Sequence, residues 1–255
     1  MNAVKTGLRT HGLGIRFGSF QAVDGVDLSL APGARHALIG PNGAGKSTLI
    51  DLLTGVRRPD AGRIELDGRD ITTLPTDRRA RMGLVRTFQI NTLFPSLTPL
   101  RSVVLAIAER EGLGGVWWRA LRPHGRYGVL FDEAHALLGR LELGAQADVP
   151  VAELPYGKQR LLEIALALAA KPRVLLLDEP AAGVPEAETG DLFDAIDALP
   201  QDVAVLFIEH DMKLVFRFAR RISVMVAGRI LVEGSPAEIA DDARVREVYL
   251  GASNG

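Results

Sequence analysis

The residues of this chain best suited to chemistry lie in a glycine-rich stretch that follows a short apolar run. Residues 40–47 read GPNGAGKS and fill every fixed position of the pattern G-x-x-x-x-G-K-[ST]. Glycines let backbone N–H groups point inward at a phosphate, while Lys46 adds positive charge for the β- and γ-phosphates and Ser47 offers a hydroxyl to Mg²⁺. Glycine-rich turns before helices are common, but the order strand, loop, Lys-Ser and apolar helix predicts a nucleoside triphosphate site. Its expected contacts are Gly40, Pro41, Asn42, Gly43, Ala44, Gly45, Lys46, Ser47 and Thr48.

A pair of acidic residues, Asp178 and Glu179, follows the apolar run 174–177 (VLLL). Such a continuous run is typical of a central parallel strand, which delivers its last residues to the carboxyl edge of the sheet. Asp178 is therefore expected to hold Mg²⁺ beside Ser47, and Glu179 to orient or deprotonate an attacking water. An acid pair at a strand end is often only a cap on the next turn, so the phosphate loop is what favours the catalytic assignment.

Two more polar residues end predicted strands. His210 follows the apolar run 203–208 and is placed to contact the same phosphate, although a lone histidine is more often structural. Gln89 ends the run 84–89, where its side chain can sense the γ-phosphate and transmit its presence to the next part of the chain. The assigned catalytic residues are Lys46, Gln89, Glu179 and His210, and the assigned metal ligands are Ser47, Gln89 and Asp178.

The elements that must position these residues are strands and helices in alternation. Residues 7–35 show the period-two alternation of short strands in a sheet with one wet face, whereas apolar residues recur at helical spacing between about 90 and 170. The expected fold is α/β, a P-loop NTPase core with a mainly parallel central sheet, an N-terminal antiparallel β part and a helical subdomain. We place the core in residues 1–89 and 171–255, and the helical subdomain in residues 90–170.

Aromatic residues suggest two further contacts. Phe17 and Phe20 lie among the first predicted strands, where a ring can either stack on an adenine face or pack beneath the hairpin, and the residues taken singly favour neither arrangement. Trp117 and Trp118 lie in a glycine-rich loop between predicted helices, and we assign them no function.

The composition limits the classes of partner. Lys plus Arg is 30 against 31 for Asp plus Glu, a formal net charge of -1, so no basic field favours nucleic acid. The absence of cysteine excludes a disulfide framework and Cys-ligated zinc, and it fits a reducing compartment. The N-terminus lacks the apolar segment of a signal peptide, and the apolar runs are shorter than the ~18 residues of a membrane span. Any work at a membrane is expected from its surface, through partners.

Taken together, these motifs resemble the ATP-binding-cassette (ABC) ATPases. The order matches: the phosphate loop, Gln89, the signature segment 154–159 (LPYGKQ) before a helix, the acidic strand end and His210. Three stretches look like the branched-chain amino acid uptake branch of that family, namely 86–89 (RTFQ), 154–165 (LPYGKQRLLEIA) and 248–251 (VYLG). The resemblance covers about residues 7–250 and implies one ABC transporter domain.

The resemblance also implies partners and a location. Two such subunits, identical or different, would pair head to tail and hold ATP, with Mg²⁺, between the phosphate loop of one subunit and the signature segment of the other. Phe17 matches the aromatic residue that stacks on adenine, and Tyr156, Gly157 and Lys158 would contact the nucleotide from the signature segment. The helical subdomain would receive two membrane-spanning permease subunits, served by an extracytoplasmic solute-binding protein. The implied location is peripheral, on the cytoplasmic face of the inner membrane, with no nucleic acid partner.

Two segments depart from the commoner family sequences. The common signature is LSGGQ, and here Pro155 stands at its serine, Tyr156 at its first glycine and Lys158 at its glutamine. The lost hydroxyl removes one hydrogen bond to a charged group, worth about 1.5–3 kcal/mol. The segment 181–184 (AAGV) also replaces the commoner Ser-Ala-Leu-Asp.

The leading hypothesis is therefore an ATP-hydrolysing subunit that powers an importer, for branched-chain amino acids or a similar small solute. A soluble cassette ATPase that acts on nucleic acid or ribosomes is the second hypothesis, and the balanced charge and single cassette argue against it. An exporter ATPase of similar design is the third.

Overall fold

The computed structural model describes residues 7–87, 93–113 and 128–251. Gln89, Trp117 and Trp118 lie outside the described residues. The strands in these ranges are β1 (Leu8–Phe17), β2 (Phe20–Leu30), β3 (Arg35–Ile39), β4 (Ala61–Leu66), β5 (Arg69–Asp70), β6 (Leu84–Arg86), β7 (Val174–Asp178), β8 (Ala204–Ile208), β9 (Arg221–Val226) and β10 (Arg229–Gly234). The helices are α1 (Lys46–Thr54), α2 (Thr76–Arg81), α3 (Pro99–Arg110), α4 (Gly128–Arg140), α5 (Tyr156–Ala169), α6 (Glu186–Asp197), α7 (Met212–Phe218), α8 (Pro236–Asp241) and α9 (Ala243–Gly251).

The strands form two sheets, as the sequence predicted. The first has the order β2-β1-β4-β5, and its pairs are antiparallel. The second has the order β10-β9-β3-β8-β7-β6, in which β9, β3, β8 and β7 are parallel neighbours and β10 is an antiparallel edge strand. The predicted fold class, an α/β core with an antiparallel β part and a mainly parallel sheet, is confirmed.

The central parallel strands bring three chain segments to one edge of the sheet. Strands β3 and β8 are buried along their whole length, β8 with an unbroken apolar sequence and β3 with apolar residues at 37–39 after buried Arg35 and His36. Asp178 pairs with Ile208, and Ile208 pairs with Leu38. Because neighbouring strands lie about 4.8 Å apart, the backbones of Asp178 and Leu38 are about 10 Å apart at the same level. The residues that follow these three positions therefore leave the sheet together.

The described residues divide into two compact units. The first comprises residues up to Leu84, Arg173–Pro180 and the residues from Pro200 onward, and the second comprises Val85–Pro172 and Ala181–Leu199. The boundaries drawn from the sequence, with residues 90–170 as the helical subdomain, stay a prediction.

Helices α3, α4 and α5 form the interior of the second unit. Their buried apolar side chains, such as Val103, Ile107 and Ala134, recur at the helical spacing expected from the sequence. Arg110 ties the three helices together, since its guanidinium donates to both carboxylate oxygens of Glu133 (2.8 and 2.9 Å) and to the carbonyl oxygen of Ala169 (2.7 Å). These hydrogen bonds raise the pKa of Arg110, chiefly through Glu133.

In the first unit, the helix after the phosphate loop is anchored at its far end by Arg79. This buried side chain donates to four carbonyl oxygens, those of Leu52 (2.6 Å), Leu53 (2.7 Å), Thr72 (2.8 Å) and Leu74 (2.9 Å). The first two belong to the last turn of α1, whose carbonyl groups have no partner within the helix. Burial lowers the pKa of Arg79 to about 10, so the guanidinium keeps its charge at neutral pH.

A buried histidine lies in the central sheet. His36 on β3 is 1% exposed, and its Nε2 lies 2.8 Å from Ser223 Oγ. The Ser223 hydroxyl donates to Glu233 Oε2 at 2.7 Å, so the imidazole N–H is the donor to Ser223. Burial lowers the pKa of His36 to about 4, the Glu233 carboxylate raises it, and Arg221 lowers it further. His36 is therefore neutral at physiological pH.

This arrangement predicts acid sensitivity. The pKa of His36 falls from an ordinary 6.5 when unfolded to about 4 in the fold, so the unfolded chain binds a proton first. The contribution of His36 to stability is complete above pH 6.5 and is lost as the pH falls through 4, with about 2 kcal/mol lost between pH 7 and pH 5. Urea unfolding at both pH values should show that His36→Gln, which keeps a donor but does not titrate, loses about 2 kcal/mol less than the wild type. Equal losses in the two proteins would contradict this origin.

Candidate nucleotide-binding site

The loop after β3 folds around the ammonium group of Lys46. Nζ donates to the carbonyl oxygens of Gly40 (2.6 Å) and Pro41 (3.1 Å), which draws the lysine over the loop that precedes it. Gly45, the residue before α1, has φ of 101°, and a Cβ there would lie 2.3 Å from the carbonyl oxygen of Ala22. The tight wrap at this position therefore requires glycine.

The first turn of α1 is suited to an anion. No side chain among the described residues caps this N-terminus, and the turn contains no acidic residue. The N–H groups of Lys46, Ser47 and Thr48 precede the first intrahelical bond, which runs from Leu49 N to Gly45 O at 2.9 Å. N–H groups without an intrahelical acceptor and the positive end of the helix dipole favour a phosphate here, so the loop fits a triphosphate chemically.

Glu179 and His210 are in contact. Nε2 of His210 lies 2.7 Å from Glu179 Oε1, and each side chain is about half exposed (47% and 46%). Glu179 adopts φ of 49°, in the left-handed region that a residue other than glycine seldom occupies. Asp211, the residue after His210, caps the N-terminus of α7, because its carboxylate accepts a hydrogen bond from Lys213 N at 2.8 Å. The residues after β7 and β8 thus form a carboxylate–imidazole pair with room for water.

The same carboxylates act electrostatically on Lys46. Burial lowers the pKa of Lys46, while the negative charges of Glu179 and Asp178 raise it. The sequence predicted one site for Lys46, Asp178 and Glu179. Both carboxylates lie close enough to the lysine ammonium to raise its pKa.

The site also fits an ion that arrives with a nucleotide. Within the described ranges, no group of three or more His, Cys, Asp or Glu side chains is arranged to hold a metal. Mg²⁺ is usually bound through one or two carboxylates together with substrate phosphates and waters, and it requires no complete protein cage. Ser47, which is exposed, and the half-buried Asp178 supply the hydroxyl and the carboxylate that such an ion takes from the protein.

Comparison with known proteins decides the family. Residues 23–182 match the family model described as ABC transporter, and residues 229–253 match a second model, described as branched-chain amino acid ATP-binding cassette transporter. The chain belongs to the ABC transporter family. It is an ATPase cassette with the P-loop NTPase fold.

Relatives of this cassette match it over almost its full length. It is 40% identical to the high-affinity branched-chain amino acid transport ATP-binding protein BraF of Pseudomonas aeruginosa (96% of this chain, 97% of the relative). It is 39% identical to LivG of Escherichia coli K12, a protein of the same description, with the same coverage. A solved structure of the ADP conformation of MJ1267, an ATP-binding cassette of an ABC transporter, matches with a TM-score of 0.82 at 32% identity (96% of this chain, 98% of that chain). No helix in the described part of the cassette has the length and apolar character to cross a bilayer.

The two phenylalanines lie at the tip of the β1–β2 hairpin of the cassette. Phe17 pairs with Phe20 across the turn, and both rings are exposed (41% and 60%), so neither packs beneath the hairpin. The guanidinium of Arg57 lies 5.0 Å from the centre of the Phe17 ring. This cation–π contact orients the ring and leaves surface for stacking, and adenine contact through Phe17 stays a prediction.

The signature segment of the cassette begins α5. Pro155 precedes the helix, and within the described residues no side chain caps its N-terminus, so the first N–H groups can face an anion. Gly157 is buried in this turn, and Lys158 Nζ donates to the carbonyl oxygen of Glu142 at 3.2 Å. Tyr156 is 38% exposed, and its ring lies against Gly183. The nucleotide contacts assigned to these residues stay predictions.

Sequence analysis assigned no role to three residues that lie close to this segment. Arg160 and Glu163 form a buried ion pair at 2.9 Å within α5, and burial raises the pKa of Glu163 to about 7 against the effect of Arg160. Glu188 at the start of α6 lies against Gly157. The sequence did offer one signal for Arg160. It lies four residues after Tyr156 on a predicted helix, and residues at this spacing share one helix face. Nothing local marks Glu188, which is 31 residues from Gly157.

Proposed function

We propose that this cassette is the energy-coupling ATPase subunit of an importer for branched-chain amino acids. The observation that carries the proposal is the strand register, which places Asp178, Ile208 and Leu38 side by side, so that the acidic pair, His210 and the phosphate loop leave one sheet edge. The solute class rests on the full-length similarity to BraF and LivG and on the match of residues 229–253.

The proposed chemistry uses the contacts of this edge. The amides of residues 43–48 and the ammonium of Lys46 would bind the phosphates, and Ser47, Asp178 and Gln89 are the residues that would hold Mg²⁺. When bound, Mg²⁺ neutralises charge on the β- and γ-phosphate oxygens. Glu179 accepts the proton of the attacking water, and His210 donates Nε2–H to Glu179 Oε1 and so fixes the direction of that carboxylate.

The proposed assembly places the cassette at a membrane through partners. Two ATPase subunits pair head to tail, so that Tyr156, Gly157 and Lys158 of one subunit face the nucleotide on the phosphate loop of the other. Two membrane-spanning permease subunits dock on the helical subdomain, and a solute-binding protein delivers the solute from the far side. The proposed location is therefore the cytoplasmic face of the inner membrane, without nucleic acid.

The test is gentle purification of the tagged chain from membranes in mild detergent, combined with uptake assays. We expect membrane-spanning subunits to remain bound, and we expect cells without this chain to lose uptake of labelled leucine while uptake of labelled ribose is unchanged. Re-expression of the wild-type chain should restore leucine uptake. Co-purification with ribosomes or nucleic acid instead of membrane subunits would favour the soluble alternative, and unchanged leucine uptake would contradict the proposed solute class.

A further inference from the structure

The first turn of α5 contacts the segment 182–188 at three points, which we call the signature contact. The Tyr156 ring lies against Gly183, where a Cβ would lie 3.0 Å from the hydroxyl oxygen and 3.1 Å from two ring carbons. Arg160 Nη2 donates to the carbonyl oxygen of Ala182 at 3.2 Å. On the other side of the turn, a Cβ at Gly157 would lie 2.3 Å from Glu188 Oε2. The beginning of the helix is thus held on two sides.

Arg160 connects the parts of this contact. Its guanidinium lies 5.5 Å from the centre of the Tyr156 ring and 2.9 Å from Glu163 Oε2. In the described part of the chain, Arg160 Nε and Glu163 Oε1 are buried without a hydrogen-bond partner. A buried ion pair that is only partly satisfied adds little net stability, because desolvation offsets its Coulomb attraction. Its physical contribution here is to fix the guanidinium between the Tyr156 ring and the Ala182 carbonyl.

Tyr156 and Gly183 complement each other in size. Gly183 has φ of 77°, which disfavours most other residues, and the space beside it is filled by the ring. The commoner signature has glycine where this chain has Tyr156, and the commoner sequence after the acidic strand has leucine where this chain has Gly183. The two segments in which this chain departs from the commoner sequences therefore meet at one point.

We propose that Tyr156 and Gly183 are a matched pair of positioning residues for ATP hydrolysis. The inference rests on the proposed function, in which the first turn of α5 faces a phosphate. Ala182 follows Glu179 by three residues along the chain. A contact that fixes the peptide between residues 182 and 183 therefore limits the backbone conformations available after Glu179. The pair thereby links the orientation of the phosphate-facing turn to the segment that carries Glu179.

A double-mutant cycle on the full chain tests this link. Gly183→Asn adds a side chain at a backbone conformation that asparagine tolerates, so its main effect is a collision with the Tyr156 ring. We expect it to lower the ATPase kcat at least 10-fold while the ATP dissociation constant changes less than twofold. In the Tyr156→Ala background the collision is absent, and the same substitution should lower kcat less than twofold.

Gly112→Asn is the matched control. Gly112 has φ of 74°, and a Cβ there would meet no atom within 4 Å, so the change in backbone preference is the same without a collision. Its kcat should stay within twofold of the wild type. If Gly183→Asn does not fold, the same cycle is run with Gly183→Ala, which places a shorter side chain against the ring, and Gly112→Ala is then the control for backbone strain.

Two results would overturn the inference. Equal losses of kcat in both backgrounds would mean that Tyr156 does not sense residue 183. A lower melting temperature of Gly183→Asn with unchanged kcat would mean that the contact is structural only. If the wild-type chain hydrolyses ATP and the variants give either of these results, the inference alone is contradicted. If the wild-type chain has no ATPase activity, the proposed function is contradicted and this inference with it.

Discussion

Replacing Glu179 by glutamine is expected to lower the ATPase kcat about 100- to 10,000-fold, the range that a positioned general base contributes. The amide keeps the shape of the carboxylate but cannot accept a proton from water. ATP binding should be retained, because the proposed phosphate contacts come from the loop and from Lys46. ATP should therefore accumulate unhydrolysed, and the subunits should remain as a closed dimer.

Single-turnover hydrolysis, ATP titration and size-exclusion chromatography with ATP and Mg²⁺ measure these three effects. Glu247→Gln makes the same change in charge on an exposed helical position and should leave kcat within twofold of the wild type. Glu179 also affects the pKa of Lys46, so the loss of its charge should slightly strengthen phosphate binding, because one negative neighbour is removed. A kcat of Glu179→Gln within a few-fold of the wild type would remove Glu179 from the catalytic role.

The His210 contact would allow the half-exposed carboxylate of Glu179 to act as the proposed base. Glu179 is 46% exposed, and an exposed side chain samples many rotamers unless a partner holds it. The 2.7 Å contact with His210 supplies that partner from the neighbouring strand end. The left-handed backbone at Glu179 adds a conformational cost of about 1–2 kcal/mol, of the kind found where function constrains the chain.

The residue types of this site and the shared sheet edge could be predicted, whereas the individual side-chain contacts between distant segments could not. The phosphate loop is readable because eight consecutive residues carry its chemistry, and β7 and β8 are readable because strands buried on both faces have runs of consecutive apolar residues. The hydrogen bond between Glu179 and His210 joins residues 31 apart, and that between His36 and Ser223 joins residues 187 apart. No pattern within either segment indicates such a partner.

The sequence also could not predict backbone conformation or the exact ends of helices and strands. The strand predicted over the apolar run 203–208 begins at Ala204, a difference of the size expected at the ends of such elements. Arg79 is a further example, because an arginine in a basic helix of six residues is usually solvated, whereas here it is buried against the end of α1. Tertiary packing, which the local sequence does not encode, decides its position.

Replacing Lys46 by alanine is expected to weaken ATP binding at least 100-fold. The Lys46 ammonium lies over the loop, where it donates to the carbonyl oxygens of Gly40 and Pro41. A charge-assisted hydrogen bond to phosphate is worth about 1.5–3 kcal/mol, so the loss of contacts to two phosphates accounts for an effect of this size. Lys46→Met retains most of the apolar stem and should bind equally weakly, which separates lost charge from lost packing. Lys213→Ala removes an exposed lysine and should bind like the wild type.

Ligand-induced stabilisation gives a measurement of Lys46→Ala that is independent of hydrolysis. At an ATP concentration 100 times the wild-type dissociation constant, the wild type should gain about 2.7 kcal/mol of unfolding free energy, whereas a variant with 100-fold weaker binding should gain about 0.4 kcal/mol. Because the variant also removes the donor to the carbonyl oxygens of Gly40 and Pro41, its unfolding without ATP is measured alongside, and each gain is taken relative to the same protein without ATP. An equal gain in the two proteins would mean that phosphate does not bind where Lys46 lies, and the assignment of this loop, with every role that depends on it, would fail.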